Sequence, residues 1–291
     1  MYQNLKLNLM KPIVYIEKRF DPNTLPKEPS KNVPGIFYHG VTLSGEYGWY
    51  AALNILESGM LQTPNYVAYW EPNLASSHNS VRYREIKDLK YRGQSSGGLT
   101  PMAMNFLNVA SGIRQGLHMQ KGSIKYTDDQ EKEMIKRSRV EIKFEIERRK
   151  YAKNAVSRLE CLYVADNEAT IREMFNHHPD LLIFKVKIAE ALNYTKVDSK
   201  WYEEYLKTGE RKYIKKYWTG SKCNENISSW EYLVDGLIII DDHKHLAYLN
   251  TYKEELEEEF KFNISTSQER SIFMAYNQSN PLVDRRSVKF D

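Results

Sequence analysis

The chain has 291 residues, of which 41% are hydrophobic and 27% charged, and its net charge at pH 7 is +4. This composition is that of an ordinary soluble protein with a sizeable core, and so small a net charge indicates no general affinity for nucleic acid or for a membrane surface. Neither a secretory signal nor an apolar run of transmembrane length is recognisable. Cys161 lies inside an apolar strand-like run, which favours buried, reduced thiols for Cys161 and Cys223. We therefore expect a soluble protein that works in a cytosol.

The first elements are strands and one helix. Residues 13–16 are typical of a short strand, and residues 35–40 of a second strand that runs into a turn. Apolar residues then recur at helical spacing from Trp49 to Met60, and Gly59 is well placed to end that helix.

The region from residue 66 to residue 154 has a different texture. It begins without clear periodicity, and Thr100-Pro101 then has the pattern of a helix start. Thr127 and Gln130 form the capping-box pattern at the start of a highly charged run. Alternating apolar residues at 140–146 would suit a strand, whereas the capping and the lack of turn residues favour one long helix, which we predict.

Strands with short connections are predicted beyond residue 155. They lie at 159–165, 181–188, 232–241 and 245–250, with helices at 168–175 and 201–208 and a last helix that carries the acidic run 254–259. The fold class is therefore α+β, with a sheet that is split in sequence by a mainly helical insertion. The divisions are a first part of the core at 1–65, the insertion at 66–154, a second part of the core at 155–250, and a C-terminal helix and tail at 251–291.

Three short motifs end or begin apolar strand-like runs: Tyr38-His39-Gly40, the run 161–166 around Tyr163, and Trp230-Glu231-Tyr232. A histidine nitrogen can bind a ribose hydroxyl, and a glycine lets a ligand approach the backbone. A tyrosine can stack on an aromatic ring, and a carboxylate can stabilise positive charge on an anomeric carbon. This set of groups suits cleavage of an N-glycosidic bond with a cationic leaving ring, such as the nicotinamide–ribose bond of NAD.

The motifs resemble those of the diphtheria-toxin and poly(ADP-ribose) polymerase class of ADP-ribosyltransferases, whose signature is a His-Tyr-Glu triad. Residues 37–40, with a downstream helix that ends near residues 58–61, are similar to the first motif of this class. Residues 162–167 are similar to the second motif and residues 229–234 to the third. The order of the motifs and the interleaved strands and helices agree with this resemblance, which implies an ADP-ribosyltransferase-like split antiparallel sheet as the core.

The resemblance implies a role for each site residue. His39 would bind a ribose hydroxyl on the adenosine side of NAD, and the Gly40 backbone would hold the nicotinamide amide. Tyr163 would stack on the nicotinamide ring, and Glu231 would hold the 2′-hydroxyl of the nicotinamide ribose and support the oxocarbenium ion. The class places a second aromatic residue about eleven positions after its tyrosine; here that position is Met174, so we predict that the next residue, Phe175, takes this role.

The expected function is that of a mono-ADP-ribosyltransferase that uses NAD as substrate and modifies a side chain of a target protein recognised by residues 66–154. The composition and the solitary enzyme domain suit a bacterial effector delivered into a host cytosol. Ser229 stands two positions before Glu231, where arginine-modifying toxins carry an acid, so the sequence does not identify the acceptor.

Alternatives stay open. The same pocket would suit an NAD glycohydrolase or a nucleic-acid ADP-ribosyltransferase, and an inactive fold of this kind would act as a partner-binding module. Taken singly, His39 is also typical of a strand end and Tyr163 of a core. Neither His177-His178 nor the pair His243 and His245 has a cysteine at ligand spacing, so we predict no metal site.

Overall fold

The computed structural model describes residues 33–43, 48–66, 124–224 and 229–264, together with residues 100 and 120–121 and isolated positions between 103 and 113. The strand predicted at 13–16 and most of the aperiodic region after residue 66 lie outside the described residues. So does the tail after residue 264. Within the described part, no helix is long and apolar enough to cross a membrane.

Seven strands and seven helices are described in these ranges. The strands are β1 (Val33–Thr42), β2 (Met60–Gln62), β3 (Gln120–Lys121), β4 (Ile124–Lys125), β5 (Leu162–Ala165), β6 (Leu181–Asp198) and β7 (Trp230–Ile240). The helices are α1 (Gly48–Ser58), α2 (Asp128–Tyr151), α3 (Glu168–Met174), α4 (Lys200–Thr208), α5 (Arg211–Trp218), α6 (His243–Asn250) and α7 (Lys253–Ile264).

The main sheet is antiparallel and has the strand order β2-β7-β5-β1-β6. Strand β6 also pairs with β7, so that β1, β6, β7 and β5 form a closed circuit of paired strands. The register of β6 against β7 shifts on either side of Glu190 and Ala191. Gly236 is required there, because a Cβ atom at this position would lie 2.2 Å from the Glu190 carbonyl oxygen. This sheet and its helices confirm the predicted α+β class.

Two hydrophobic clusters lie on opposite faces of β7, because successive side chains of a strand alternate between its faces. Val234 and Ile238 belong to the first cluster, which they share with residues of β1, β6 and α1. Leu249 of α6 and Leu256 of α7 also belong to this cluster. Leu233 belongs to the second cluster, which is formed with α2, α4 and α5. The candidate site residue Glu231 precedes Leu233 by two positions and therefore points toward this second side.

Helix α2 confirms the long helix predicted in the charged region. Thr127 and Gln130 form the capping box, with both reciprocal hydrogen bonds present. Val140 and Phe144 are buried on one face of the helix and Ile142 is buried on another, so α2 is covered on more than one side. The strand-like alternation in this segment therefore reflects the burial of several helix faces. Phe144 packs in the second cluster, so this part of the predicted insertion is built into the core.

Other predictions of secondary structure have mixed outcomes. Helices α3 and α4 occupy the predicted positions, and α1 ends before Gly59, which has φ +68°. Met60, however, belongs to strand β2. The prediction of a strand at 245–250 is wrong, since this segment belongs to helix α6. The Asp242 side chain caps this helix by accepting a hydrogen bond from the His245 backbone, and Leu249 of the helix is buried. The thiols of Cys161 and Cys223 are both free.

Candidate functional site

The sheet brings the three predicted motifs onto neighbouring strands. Tyr38 on β1 lies opposite Ala165 on β5, and Ala165 in turn lies opposite Glu231 on β7. Neighbouring strands are about 4.8 Å apart, so the backbones of β1 and β7 are about 10 Å apart across this row. Residues that are more than 190 positions apart in sequence therefore meet in one row of the sheet.

His39 is fixed by a hydrogen bond to β5. Its Nδ1 atom lies 2.7 Å from the carbonyl oxygen of Tyr163. A carbonyl oxygen only accepts, so Nδ1 carries the hydrogen and Nε2 of the neutral ring is an acceptor. Burial lowers the pKa of His39 below its usual value, which favours this neutral form. No side chain among the described residues forms a hydrogen bond with Nε2.

Gly40 is packed against helix α3. A Cβ atom at this position would lie 2.7 Å from Phe175 Cε2 and 2.8 Å from Ile171 Cγ2. The absence of a side chain at Gly40 is therefore explained by the close approach of α3 and of the residue that follows it. Phe175, predicted to bind the cofactor, lies over Gly40.

Glu231 is almost completely buried, with 1% of its surface exposed. Its Oε1 atom accepts a hydrogen bond from Arg158 Nη1 at 2.9 Å and another from the Tyr217 hydroxyl. Burial raises the pKa of Glu231, and the Arg158 charge and the two hydrogen bonds oppose that rise. Neither of these bonds uses Oε2, and no other hydrogen bond from a described residue reaches it.

Arg158 lies at the centre of the site, although no pattern in the sequence around it pointed to this role. Its Nε and Nη2 atoms donate to the Glu141 carboxylate at 3.0 and 3.1 Å. Its guanidinium carbon lies 4.2 Å from the ring centroid of Tyr202 and 5.1 Å from that of Tyr163. The Tyr163 hydroxyl donates to the Arg158 carbonyl oxygen at 2.6 Å. One face of the predicted stacking tyrosine is therefore in contact with a cation.

The buried cluster of Glu141, Arg158 and Glu231 contains one positive and two acidic side chains. Arg158 forms ion pairs with both Glu141 and Glu231, so one guanidinium serves two carboxylates. Burial disfavours the charge on Arg158, but Glu141 and its other neighbours outweigh this and hold its pKa above the usual value. With both glutamates ionised, the cluster carries one net negative charge. Such a cluster favours a cationic ligand or a cationic transition state next to Glu231.

A pocket of about 550 Å³ opens onto this cluster between the end of α3 and helix α4. Its lining includes Glu231 and Arg158, and it also includes Met174, the residue eleven positions after Tyr163. This volume is within the usual range for small-molecule sites. His39, Gly40, Tyr163 and Phe175 do not belong to its lining.

The rim of the pocket has an unusual backbone. Asn176 and His177, which follow α3, have φ angles of +49° and +51°. Left-handed conformations are costly for residues other than glycine, and they concentrate at functional sites. Both residues line the pocket. Among the described residues, no group of three or more His, Cys, Asp or Glu side chains could hold a metal ion.

The sequence shows a family relationship as well. A family profile described as a protein of unknown function, DUF2441, matches residues 77–247. The chain belongs to this family. No curated protein matches the chain. The matched region of this DUF2441 protein contains Arg158, Tyr163 and Glu231 but begins after β1 and β2, so that His39 and Gly40 lie outside it.

Proposed function

We propose that this DUF2441 protein is a mono-ADP-ribosyltransferase that cleaves the nicotinamide–ribose bond of NAD and transfers ADP-ribose to a target protein. The observation that carries the proposal is the row of the sheet in which β1, β5 and β7 are neighbours. This row brings the segments of His39 and Tyr163 close to Glu231, a buried carboxylate at the wall of a pocket.

Glu231 supplies the central chemistry in this proposal. Arg158 and Tyr217 hold its Oε1 atom, which leaves Oε2 to accept a hydrogen bond from the 2′-hydroxyl of the nicotinamide ribose. The ionised carboxylate then stabilises the positive charge that develops on the anomeric carbon as the bond to nicotinamide breaks. The net negative charge of the cluster acts in the same direction.

The other predicted residues do not line this pocket, and the proposal assigns each of them a role beside it. His39 offers Nε2 as an acceptor for a ribose hydroxyl, because Nδ1 is engaged with the backbone of Tyr163. Tyr163 contacts the Arg158 guanidinium on one face of its ring, so we place the nicotinamide at the other face. Met174 lines the pocket, and we propose that it contacts the substrate there while Phe175 supports Gly40.

The proposal is tested with NAD labelled in its adenylate phosphate, the purified full-length protein and cell lysates. We expect label on a protein band with the wild type and a loss of about 10²–10³-fold in rate with Glu231→Gln, as for other preorganised electrostatic groups. The matched control is Glu145→Gln. Glu145 is as buried as Glu231 and also accepts from arginine, but its partners are Arg148 and Arg149 of α2.

The outcomes separate the alternatives. Consumption of NAD without a labelled macromolecule would show an NAD glycohydrolase, and label that a nuclease removes would show a nucleic-acid transferase. Absence of NAD binding by calorimetry would contradict the proposal and favour a partner-binding module. Equal labelling by the wild type and Glu231→Gln would remove Glu231 from the mechanism. Label on a protein of a eukaryotic lysate, with none in a bacterial lysate, would support the further proposal of an effector that acts in a host cytosol.

A further inference from the structure

We propose that Arg158 is a positioning residue that keeps the buried Glu231 carboxylate ionised and turns its Oε2 atom toward the pocket. The inference rests on the proposed function, because it assigns Arg158 a part in the same reaction. Arg158 acts through Glu231 and is not itself required to touch the substrate.

The guanidinium is held rigidly enough for this role. Its Nε and Nη2 atoms bind the two oxygens of Glu141, which α2 supplies, and its Nη1 atom binds the Tyr217 hydroxyl of α5 at 2.6 Å. The same Nη1 atom donates to Glu231 Oε1. An arginine fixed by one carboxylate presents its remaining donor in a set direction, because the guanidinium is planar. Among the described residues, the hydrogen bonds to Glu231 therefore all go to Oε1.

The surroundings of Glu231 contain few positive charges. Among the residues that the structure describes, the titratable and charged groups of this cluster are Glu141, Arg158, Cys161, Tyr163, Tyr202 and Tyr217. The further such groups in the pocket wall are Glu173, His177, Lys200, Glu203 and Lys207. Within the inner group Arg158 is the cation, and the others are neutral or acidic.

The outer lysines do not replace Arg158. Lys200 donates to Glu173 at 2.7 Å and to Glu203 at 3.3 Å, and Lys207 donates to Glu204 at 3.0 Å. Burial favours the neutral acid form of a glutamate, and Tyr217 contributes only a hydrogen bond between a neutral group and the carboxylate. The ionised form of Glu231 therefore depends on the Arg158 charge.

Helix α2 contains a pair that serves as a matched control. The side chains of Arg148 and Glu145 are 10% and 2% exposed, compared with 9% and 2% for Arg158 and Glu231. Arg148 also donates two hydrogen bonds to Glu145 at 2.8 Å. Loss of Arg148 leaves Glu145 paired with Arg149, whose Nε atom lies 2.8 Å from Glu145 Oε1, so this variant tests the loss of a buried arginine that does not contact Glu231.

The test compares Arg158→Gln, Arg158→Lys and Arg148→Gln in the full-length protein. NAD cleavage is measured as kcat and KM over a range of pH, and Glu231 is titrated by NMR of ¹³C-labelled glutamate carboxylates, assigned with Glu231→Gln. We expect Arg158→Gln to move the acid limb of kcat and the Glu231 titration to higher pH by about 1–3 units, as for loss of an adjacent opposite charge. KM should change less than kcat, and Arg158→Lys should give a smaller shift.

Arg148→Gln should lower the melting temperature without moving either pH profile. Glu141→Gln removes a like charge, so it should move the Glu231 titration to lower pH and provides a readout even where Arg158→Gln does not fold. An unchanged Glu231 titration in Arg158→Gln, or in Glu141→Gln where Arg158→Gln does not fold, would overturn the inference, and so would an equal shift in Arg148→Gln. A wild type that does not cleave NAD would refute the proposed function, whereas the NMR titration would still decide the role of Arg158.

Discussion

Asp235 provides a prediction that is independent of any catalytic activity. This residue of β7 is buried on a part of the sheet that no described cation contacts. Its carboxylate accepts hydrogen bonds from Thr63 Oγ1 at 2.5 Å and from Asn65 Nδ2 at 2.9 Å. Burial raises the pKa of Asp235 from 3.8 to about 6, and the two hydrogen bonds only partly oppose this rise. Folding is therefore coupled to the uptake of a proton at this site.

The sign of the pH dependence follows from this raised pKa. Between pH 3.8 and about 6 the folded state holds a proton that the unfolded state has lost. The contribution of Asp235 to the free energy of unfolding is therefore fully present below pH 3.8 and is lost as the pH rises to about 6. A difference of about 2 pKa units, at about 1.4 kcal/mol each, corresponds to about 3 kcal/mol.

The perturbation is Asp235→Asn, which does not titrate. The Asn65 Oδ1 atom has no partner among the described residues, so a rotated Asn65 amide can accept a hydrogen bond from the new side chain. Urea unfolding at pH 4, 5, 6 and 7 gives the free energy of unfolding of both proteins. We expect the stability of the wild type relative to the variant to fall by about 2 kcal/mol from pH 4 to pH 7, since part of the total change already lies below pH 4.

The comparison is controlled by a second aspartate. Asp241 lies on the surface directly after β7, and its hydrogen bond to Lys187 lowers its pKa. The stability of the wild type relative to Asp241→Asn should therefore change in the opposite direction: it should fall as the pH falls. A wild-type stability that stays at a constant difference from that of Asp235→Asn over the whole pH range would refute the argument.

Two further predictions concern packing near the site, and both are measured by urea unfolding. Gly40→Ala should destabilise the fold by about 1–3 kcal/mol, because the new methyl group would overlap Phe175 and Ile171, and adding Phe175→Leu should recover part of the loss. An unchanged stability in Gly40→Ala would show that the two side chains move away at no cost. Phe144→Ala should cost about 3–5 kcal/mol, because this fully buried ring packs against four aromatic side chains. A cost below about 1 kcal/mol would contradict the packing described for α2.

The local signals of the sequence predicted most of the fold. The capping box at Thr127 and the glycine at position 59 fixed helix ends, because these features depend on a few adjacent residues. The predicted end of the strand that starts at residue 181 was wrong by ten residues, since β6 continues to Asp198. Its polar second half is held by backbone pairing to β7 and contains shifts of register, neither of which leaves an apolar alternation in the sequence.

The candidate site was only partly predictable. Three motifs with recognisable flanks led to His39, Tyr163 and Glu231, and the sheet does place their strands side by side. Arg158 and Glu141 were missed because their pairing joins a loop to a distant helix. The sequence did contain one indication for Glu141: it lies three residues before Phe144 and therefore on the same buried stripe of α2. Arg158 has no comparable local pattern.

The closed circuit of strands has a consequence for the boundaries of the folding unit. Strand β1 lies between β5 and β6, yet it precedes the region that the family profile matches. A fragment limited to residues 77–247 would leave the first half of β6 with a row of unpaired amide and carbonyl groups beside buried residues such as Phe184 and Val186. Exposed apolar strand edges of this kind promote edge-to-edge aggregation. The segment that carries His39 is thus also the segment that protects the sheet from self-association.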